Sequence, residues 1–488
     1  MKHTLRAQSL ILAALMAAST LTACGGDTPA GTDTTASAND PAADVTTESA
    51  YPALEVRDLG GKDVNILIRS EWAYEFVVEE ENGDLVNDAI FKRNSAIEER
   101  YNCNLNFIDF AGAWGQHTNF GNIIHNSVLA GDGAYDFVAG YQATLPTNTA
   151  EGDFLNLHEL PHLALDAPWW TSAGIEALTI NGRCYTAGGD IAVSLLEGIF
   201  CMFFNKRLAE ENKLPDLYQL VRDNKWTHDK LMEVIKDTGK DLDGNAEMAL
   251  EDSYGFTTSD TYIRPYIVAY NTPTLGYNAD GTLKHVWNSE RTISVLEDIV
   301  DMAYDKDVLF VASSVSNHRQ VVADTFRAGR TIIAPSTLGA SATLRDMADD
   351  FGIIPYPMYD EKQGSYYTTT SNEVTMIAVP ITAPDPDKSA LIIEAMCRES
   401  HDTVASAFYD TALKGKYARD EESLEMIERI RASLSFDTGW INSLITDVSG
   451  AQYSNMVNAK DKAFATWYAG KEASFKERLV TFSEVYYN

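Results

Sequence analysis

Gly61-Lys62-Asp63-Val64-Asn65-Ile66-Leu67-Ile68-Arg69 decides how this chain is built. It is a short apolar strand, and Trp72 and Tyr74 fall in the loop beyond it. The spacing predicts a helix from about Val86 to Tyr101, with Ala89, Ile90, Ile97 and Tyr101 on one side. Cys103, Leu105 and Phe107 then alternate as a second strand. A helix from Asn119 to Ala130 stops at Gly131-Asp132-Gly133, and Tyr135 to Gly140 forms a third strand ending at Tyr141. Strands that alternate with helices are βαβ units, which predict an α/β chain with mixed, mostly parallel sheets flanked by helices. Ligands of such sheets sit beyond the carboxyl ends of the strands. Trp72 and Tyr141 both lie there.

A second run of elements begins after the turn dipeptide Asn181-Gly182. Ile191 to Phe204 is almost uninterruptedly apolar and predicts a strand through a buried region. Asn205 to Asn212 starts a helix, and Thr227 is the expected N-cap of the helix Asp229 to Lys236. Helices are expected over 292–304 and 321–328, and strands over 331–335, 352–355 and 374–379. From Asp387 onward the pattern is almost wholly helical, and the sequence carries no internal repeat. About 440 residues after the N-terminal region are too many for one core, so two lobes are expected.

The N-terminus speaks to location. Lys2 and Arg6 precede the apolar run Leu10 to Ala18, and Leu21-Thr22-Ala23-Cys24 closes it with small residues before a cysteine. The apolar core is about half the ~20 residues a membrane-spanning helix needs, so the segment is expected to be cleaved. Gly25 to Ala50 is almost entirely Gly, Ala, Ser, Thr, Asp, Asn and Pro, and reads as a flexible tether reaching roughly 28 Å. The formal net charge of −33 argues against nucleic acid and against lying flat on anionic lipid. The carboxylate-rich surface suits neutral ligands or cations over polyanions. Beyond Cys24 stand Cys103, Cys184, Cys201 and Cys397, whose spacings match no metal motif and assign no disulfide pairing.

No G-x-S-x-G, H-E-x-x-H, P-loop or G-x-G-x-x-G occurs. A glycosidase needs only two carboxylates at a set separation, and 71 acidic residues neither reveal nor exclude such a pair. The most specific polar motif runs from Asp241 to Asp252: Asp241, Asp243, Asn245 and Asp252 take positions one, three, five and twelve of a calcium loop, and Glu247 offers its carbonyl at seven. Ala246 replaces the expected glycine at six, and Asp252 is shorter than the usual glutamate. The loop reads as a solvated turn between two helices, with a structural calcium ion as the alternative. No other cofactor is expected.

Aromatic residues make up a tenth of the chain, and Trp72, Trp169, Trp170, Tyr262, Trp287 and Trp440 sit at loop or strand-end positions. Sugars pack their C–H faces on such rings while their hydroxyls seek carboxylates and amides. Each ring taken singly is more often core than site. Trp226, just before a helix cap, is assigned to core, and Trp287 sits where it closes a hairpin from Asp280-Gly281.

A set of motifs in fixed order carries a resemblance. They are Ala167-Pro168-Trp169-Trp170, Asn181-Gly182-Arg183-Cys184-Tyr185 with Gly189-Asp190, and Phe203-Phe204-Asn205-Lys206-Arg207-Leu208-Ala209-Glu210. Leu214-Pro215-Asp216-Leu217-Tyr218, Lys225-Trp226-Thr227 and Asp241-Leu242-Asp243-Gly244 through Tyr254-Gly255 follow. Phe351-Gly352-Ile353-Ile354-Pro355-Tyr356-Pro357 and Tyr409-Asp410-Thr411-Ala412-Leu413-Lys414-Gly415-Lys416-Tyr417 close the set. With these, the chain resembles the extracellular solute-binding proteins of carbohydrate ABC importers, in the family 1 branch typical of Firmicutes. The sequence Leu-x-Ala-Cys likewise resembles the bacterial lipobox, in which Cys24 is the lipidated residue; an ordinary secretory signal is the alternative.

The resemblance implies a two-lobed, periplasmic-binding-protein-like fold of type II, with a hinge of two or three crossovers that closes on ligand. Placed on this sequence, the crossovers fall near Asp190 to Glu197, Asp350 to Gly352 and His401 to Tyr409. The expected organisation is a signal peptide (1–23), lipidated Cys24 and tether (24–55), N-terminal lobe (56–190), C-terminal lobe (191–350), return to the first lobe (351–405) and C-terminal lobe helices (406–488). Asp260 and Tyr262 match the acid and aromatic that face ligand in maltodextrin-type relatives, whereas Ser336-Thr337 stand where those relatives carry a tryptophan. The expected ligand residues are therefore Trp72, Tyr141, Tyr262 and Trp440 for stacking, with Asp190 and Asp260 accepting hydroxyl hydrogen bonds. The implied role is non-enzymatic capture of a neutral sugar or oligosaccharide by a monomer, lipid-anchored on the extracytoplasmic face of the cell membrane, for delivery to ABC permease transmembrane subunits. Peptides or polyamines are alternative ligands for the same fold, and a surface enzyme acting on polysaccharide is the rival from another class.

Overall fold

The computed structural model describes residues 51–344, 346–409 and 421–487. The expected signal segment, Cys24, nearly all of the tether and most of the Tyr409–Tyr417 motif lie outside the described residues.

Three parallel strands, β1 (Lys62–Arg69), β2 (Cys103–Phe110) and β3 (Phe137–Tyr141), form the first sheet, joined by α1 (Leu85–Tyr101) and α2 (His117–Ala130). Ile66 stands opposite Phe107 on one side and Phe137 on the other, and Val64, Ile66, Leu67 and Ile68 are fully buried. A central strand covered on both faces reads as a continuous apolar run, which is how β1 reads. The helix ends are set locally. Asp84 accepts the N–H groups of Val86 and Asn87 at 3.0 Å to start α1, and Gly131 takes a φ of +62° to end α2.

The second lobe contains β4 (Phe200–Asn205), α3 (His228–Ile235), β5 (Tyr254–Ser259), a hairpin of β6 (Leu275–Tyr277) and β7 (Leu283–His285), α4 (Glu290–Ala303), β8 (Val308–Val311), α5 (His318–Arg327), β9 (Thr331–Thr337) and β10 (Phe351–Ile354). Its main sheet has the order β10-β4-β9-β5-β8. β5 pairs in parallel with β8 and β9, while β4 and β10 enter antiparallel. Thr227 caps α3 as expected, its hydroxyl accepting the N–H of Lys230. Trp226 and Trp287 are fully buried in this lobe's core.

The chain then returns to the first sheet through β11 (Thr375–Ala378), antiparallel to β3, and α6 (Pro386–Ser400). A long helix, α7 (Phe464–Tyr487), is the last element. Each sheet has its own apolar cluster. Two-lobed organisation is thus observed, with three departures in detail.

Ile191–Phe204 is not one strand: Ser194–Glu197 form a single helical turn, and the strand begins at Phe200. The segment is apolar because it passes between lobes, and hydrophobicity reports burial without fixing geometry. The crossover expected at 350–352 is a strand of the second sheet, with Gly352 opposite Phe204. The actual return follows it, where Thr370 bridges Ile199 and Thr375 pairs with Tyr141. Finally, the C-terminal part is not confined to the second lobe. Thr438 donates to the carbonyl of Ala177 at 2.8 Å, and Asn181 and Arg183 donate to the carbonyls of Tyr486 and Val485.

The crossings are tied to the first lobe by Arg93 of α1, which is fully buried. Its guanidinium donates to the carbonyls of Ile191 and Glu75 at 3.0 and 3.1 Å and to the Ser400 hydroxyl at 3.3 Å. Ser400 leads into a π-helical turn, His401–Ala405, at the third expected crossing. Among the described residues no helix is long and apolar enough to cross a membrane, and Cys103, Cys184, Cys201 and Cys397 are free and buried.

Candidate ligand-binding cleft

The carboxyl ends of the first-lobe strands carry three rings. After β1 the chain makes a tight turn, Ser70–Glu75, with a non-helical backbone at the half-buried Trp72. Beneath it lies Arg69, 1% exposed, whose guanidinium donates to the Glu373 carbonyl at 2.8 Å and the Thr375 hydroxyl at 2.7 Å. That guanidinium sits 4.0 Å from the Trp72 ring centroid and 5.2 Å from that of Tyr141, a cation–π prop for both rings. Its approach requires Gly112, where a Cβ would come within 2.7 Å of the Arg69 side chain. After β2 follows Trp114, 56% exposed, stacked on His117 at 4.7 Å and edge-on to Tyr141 at 6.4 Å.

Facing these rings, the second lobe contributes Phe200 at the start of β4, Thr261, Tyr262 and Arg264 after β5, His318 and Arg319 at the start of α5, and Trp440. Two connected hollows result, of about 610 and 920 Å³ of empty space, sharing Phe200, Thr261, Arg319, Ser371 and Glu373. Trp72 and Tyr262 line one; Trp114, Tyr141 and Trp440 line the other. The cleft therefore lies between the lobes, at the strand ends where the sequence pattern put it.

Polar groups are distributed unevenly. Glu197, in the first crossing, accepts the phenol hydrogen of Tyr74 at 2.6 Å, and burial raises its carboxyl above the ordinary range. Burial also pushes the Tyr141 phenol up to about 12 and the enclosed Glu75 carboxyl, near Ser194, Arg69 and Thr375, up to about 7. Arg319 donates to Glu373 at 3.4 Å, linking α5 to the segment that enters β11.

Four of the six expected ligand residues border the cleft: Trp72 and Trp440, both half-buried, and Tyr141 and Tyr262, only 2% and 6% exposed. The two carboxylates have other partners. Asp260 is 3% exposed and accepts from Arg264 at 2.7 Å and Asn458 at 2.8 Å, so it positions Arg264 and does not face the cleft itself. Asp190 is 6% exposed and lies 2.5 Å from His401 Nδ1, joining the first crossing to the third. Trp169 and Trp170 are also removed from the cleft, since both indole N–H groups donate to buried Glu394 at 2.9 and 3.0 Å. The residues sequence reasoning missed are Trp114, Glu197, Arg264, His318, Arg319 and Glu373. Trp114 alone had a readable signal, being a tryptophan in the small-residue loop Ala111–Gly115 directly after β2.

The Asp241–Asp252 loop, which precedes β5, brings the carboxylates of Asp241, Asp243 and Asp252 within 4.8 Å of one another. Asp241 accepts the N–H groups of Gly244 and Ala246 at 2.7 Å, and Asn245 accepts from Glu247 at 2.7 Å. Ala246 takes the left-handed φ of +68° that glycine would take without strain.

No protein-family model matches the sequence, and no curated protein matches it either. Solved structures do. The GacH receptor of Streptomyces glaucescens, solved unliganded and with acarbose, superposes with a TM-score of 0.55 at 11% identity, over 86% of this chain and 99% of that one. A cyclic α-maltosyl-1,6-maltose binding protein from Arthrobacter globiformis gives 0.54 at 15% identity, over 88% and 98%. An ABC substrate-binding protein from Listeria monocytogenes, in complex with cycloalternan, gives 0.51 at 14%, over 87% and 98%. The chain shares its fold with these binding proteins. At such identities the likeness establishes the two-lobed architecture, and the cleft has to be read from its own residues.

Proposed function

We propose that this chain is the substrate-binding subunit of an ABC importer, capturing a sugar or oligosaccharide between its lobes and handing it to membrane permease subunits without a covalent step. The observation that carries the reading is the set of rings from both lobes, Trp72, Trp114 and Tyr141 on one side and Tyr262 and Trp440 on the other, around one cleft. Saccharide C–H faces stack on such rings, and Ser194, Thr261, Thr337, Asn372 and Glu197 offer partners for hydroxyls. The fold supports the reading, since structures that share it are named for saccharide ligands. Titration of the full-length chain with a glycan panel, by calorimetry and tryptophan fluorescence, tests it. Silence toward every mono- and oligosaccharide, with binding of peptides or polyamines, overturns it.

Two further elements belong to the proposal. Lipidation of Cys24 holds the protein on the extracytoplasmic face of the cell membrane; Cys24→Ala is expected to release the protein from the membrane fraction, and its retention there refutes the anchor. The Asp241–Asp252 loop holds a structural calcium ion, the converging carboxylates of Asp241, Asp243 and Asp252 supplying hard oxygen ligands.

A further inference from the structure

The saccharide reading above leaves open which kind of saccharide, and the charges on the cleft wall bear on that. Between Trp114 and Trp440 the wall is lined by two guanidinium groups, Arg264 and Arg319, and by His318, which is bonded to the Thr261 hydroxyl at 3.0 Å; Glu373 is the one lining carboxylate, with Asp260 behind the wall paired to Arg264. Acidic residues outnumber Lys and Arg by 71 to 38 in the whole chain, so this wall inverts the sign of its background. Its cations retain unused donors. Arg264 gives one N–H to Asp260 at 2.7 Å, and its Nε is buried without a partner among the described residues. Arg319 has a single 3.4 Å contact with Glu373, and its side chain is 53% exposed.

His318 and Arg319 also stand in the first turn of α5; that turn holds no acidic residue, and the N-cap, Asn317, makes no side-chain cap bond. The positive end of that helix adds to the same field. At the opposite end of the cleft, beside Trp72 and Tyr262, stand Glu197 and the hydroxyls of Ser194 and Thr337. The cleft is polarised along its length.

We propose that the saccharide is acidic: a uronic-acid unit places its carboxylate among Arg264, His318 and Arg319, and its uncharged units extend toward Trp72 and Tyr262. Guanidinium forks suit a planar carboxylate because two parallel N–H···O bonds can form. A sulfate ester on a neutral sugar would present related anionic chemistry, so it is a separate arm of the test.

The experiment titrates the full-length chain, by calorimetry, with di- and trisaccharides of galacturonate, glucuronate and mannuronate, each beside its carboxyl-reduced counterpart. Sulfated and unmodified neutral oligosaccharides complete the panel. At least one uronate is expected to bind about tenfold or more tighter than its reduced form, with the gap narrowing as salt is raised. Arg319→Gln and Arg264→Gln are expected to bring that ratio toward one; the Arg319 variant alters an exposed side chain and is expected to fold. Reduced forms that bind as well as the acids, or neutral or sulfated sugars that bind while no uronate does, overturn this inference and leave the capture of a saccharide standing. Absence of binding by every glycan, charged or neutral, overturns the saccharide reading itself.

Discussion

Glu394 offers the sharpest test of which tryptophans hold the fold and which face ligand. Its carboxylate is fully buried in α6 and accepts from the indoles of Trp169 and Trp170 at 2.9 and 3.0 Å, from Arg398 at 2.9 Å and from the Ala164 N–H at 3.3 Å. Arg398 also lies 4.5 Å over the Trp169 ring. Glu394→Gln removes the charge that Arg398 pairs with and turns an NH₂ toward at least one existing donor. An orphaned buried donor costs about 1–3 kcal/mol, and breaking a buried ion pair costs about 3–5 kcal/mol. Arg398 is 21% exposed and regains some hydration, which lowers the pair's share. A loss of about 3 kcal/mol of unfolding free energy is expected, read from urea titrations followed by tryptophan fluorescence. Ligand affinity, read by calorimetry, is expected to stay within about twofold, because neither indole lines the cleft. A variant as stable as the parent refutes the account of this cluster. Unchanged stability with lost binding would return Trp169 and Trp170 to the ligand.

Trp114→Ala removes an exposed ring that packs on His117; affinity measured by calorimetry is expected to fall about tenfold, with unfolding free energy changed by less than about 1 kcal/mol. Burial raises the Glu75 carboxyl from 4.5 to about 7, so its neutral form favours the folded chain. That contribution is full below about pH 4.5 and is lost as pH rises to about 7, so Glu75→Gln is expected to gain on the parent by up to about 3 kcal/mol between pH 4.5 and 8 in urea titrations. Parallel pH profiles would refute the assignment. Calcium is expected to raise the melting temperature over that in EGTA, and Asp241→Asn to abolish the difference; equal melting in both makes the loop a turn. Ala246→Gly relieves the left-handed φ of +68° and is expected to stabilise the chain by about 1 kcal/mol at this exposed position.

The first lobe was legible because its central strand β1 is buried on both faces, its edge strand β2 alternates, and its helices have clear ends. Val64 to Ile68 could hardly be anything but a central strand, and Gly131 marks a helix end in sequence as it does in space. The second lobe was harder. β5 reads Tyr-Gly-Phe-Thr-Thr-Ser, and its Thr257, Thr258 and Ser259 are fully buried, so a polar segment became a central strand without an apolar pattern. In the site, Trp72, Tyr141 and Tyr262 were found because ring type and position together mark a strand end, although Trp114 after β2 was passed over. Acidic residues in the same loops gave no such guidance. Asp260 follows β5 directly, yet its carboxylate points inward to Arg264 and Asn458, and nothing in the order of residues distinguishes that from pointing outward.

The contacts that cross the cleft decide what closure depends on. One is the 3.4 Å pair of Arg319 and Glu373, with both side chains substantially exposed. Another is the bond from Tyr74, itself 46% exposed, to Glu197. The exposed Arg319–Glu373 pair contributes about 0–1 kcal/mol, too little to hold two lobes in one relative position, and the Tyr74–Glu197 bond ends on a residue of the first crossing. The crossings are fastened differently. Arg93 is fully buried, and its bonds to Ile191, Glu75 and Ser400 go to carbonyls and a hydroxyl, so shifting it would leave a buried cation without partners. Stiff anchorage at the crossings with weak contacts across the cleft leaves the balance between lobe positions to whatever bridges them. A ligand that touches Trp72 and Trp114 on one side and Arg319 and Trp440 on the other gains its second set of contacts only when the lobes approach. On the proposed reading, its differential affinity for the closed arrangement is the free energy that drives closure.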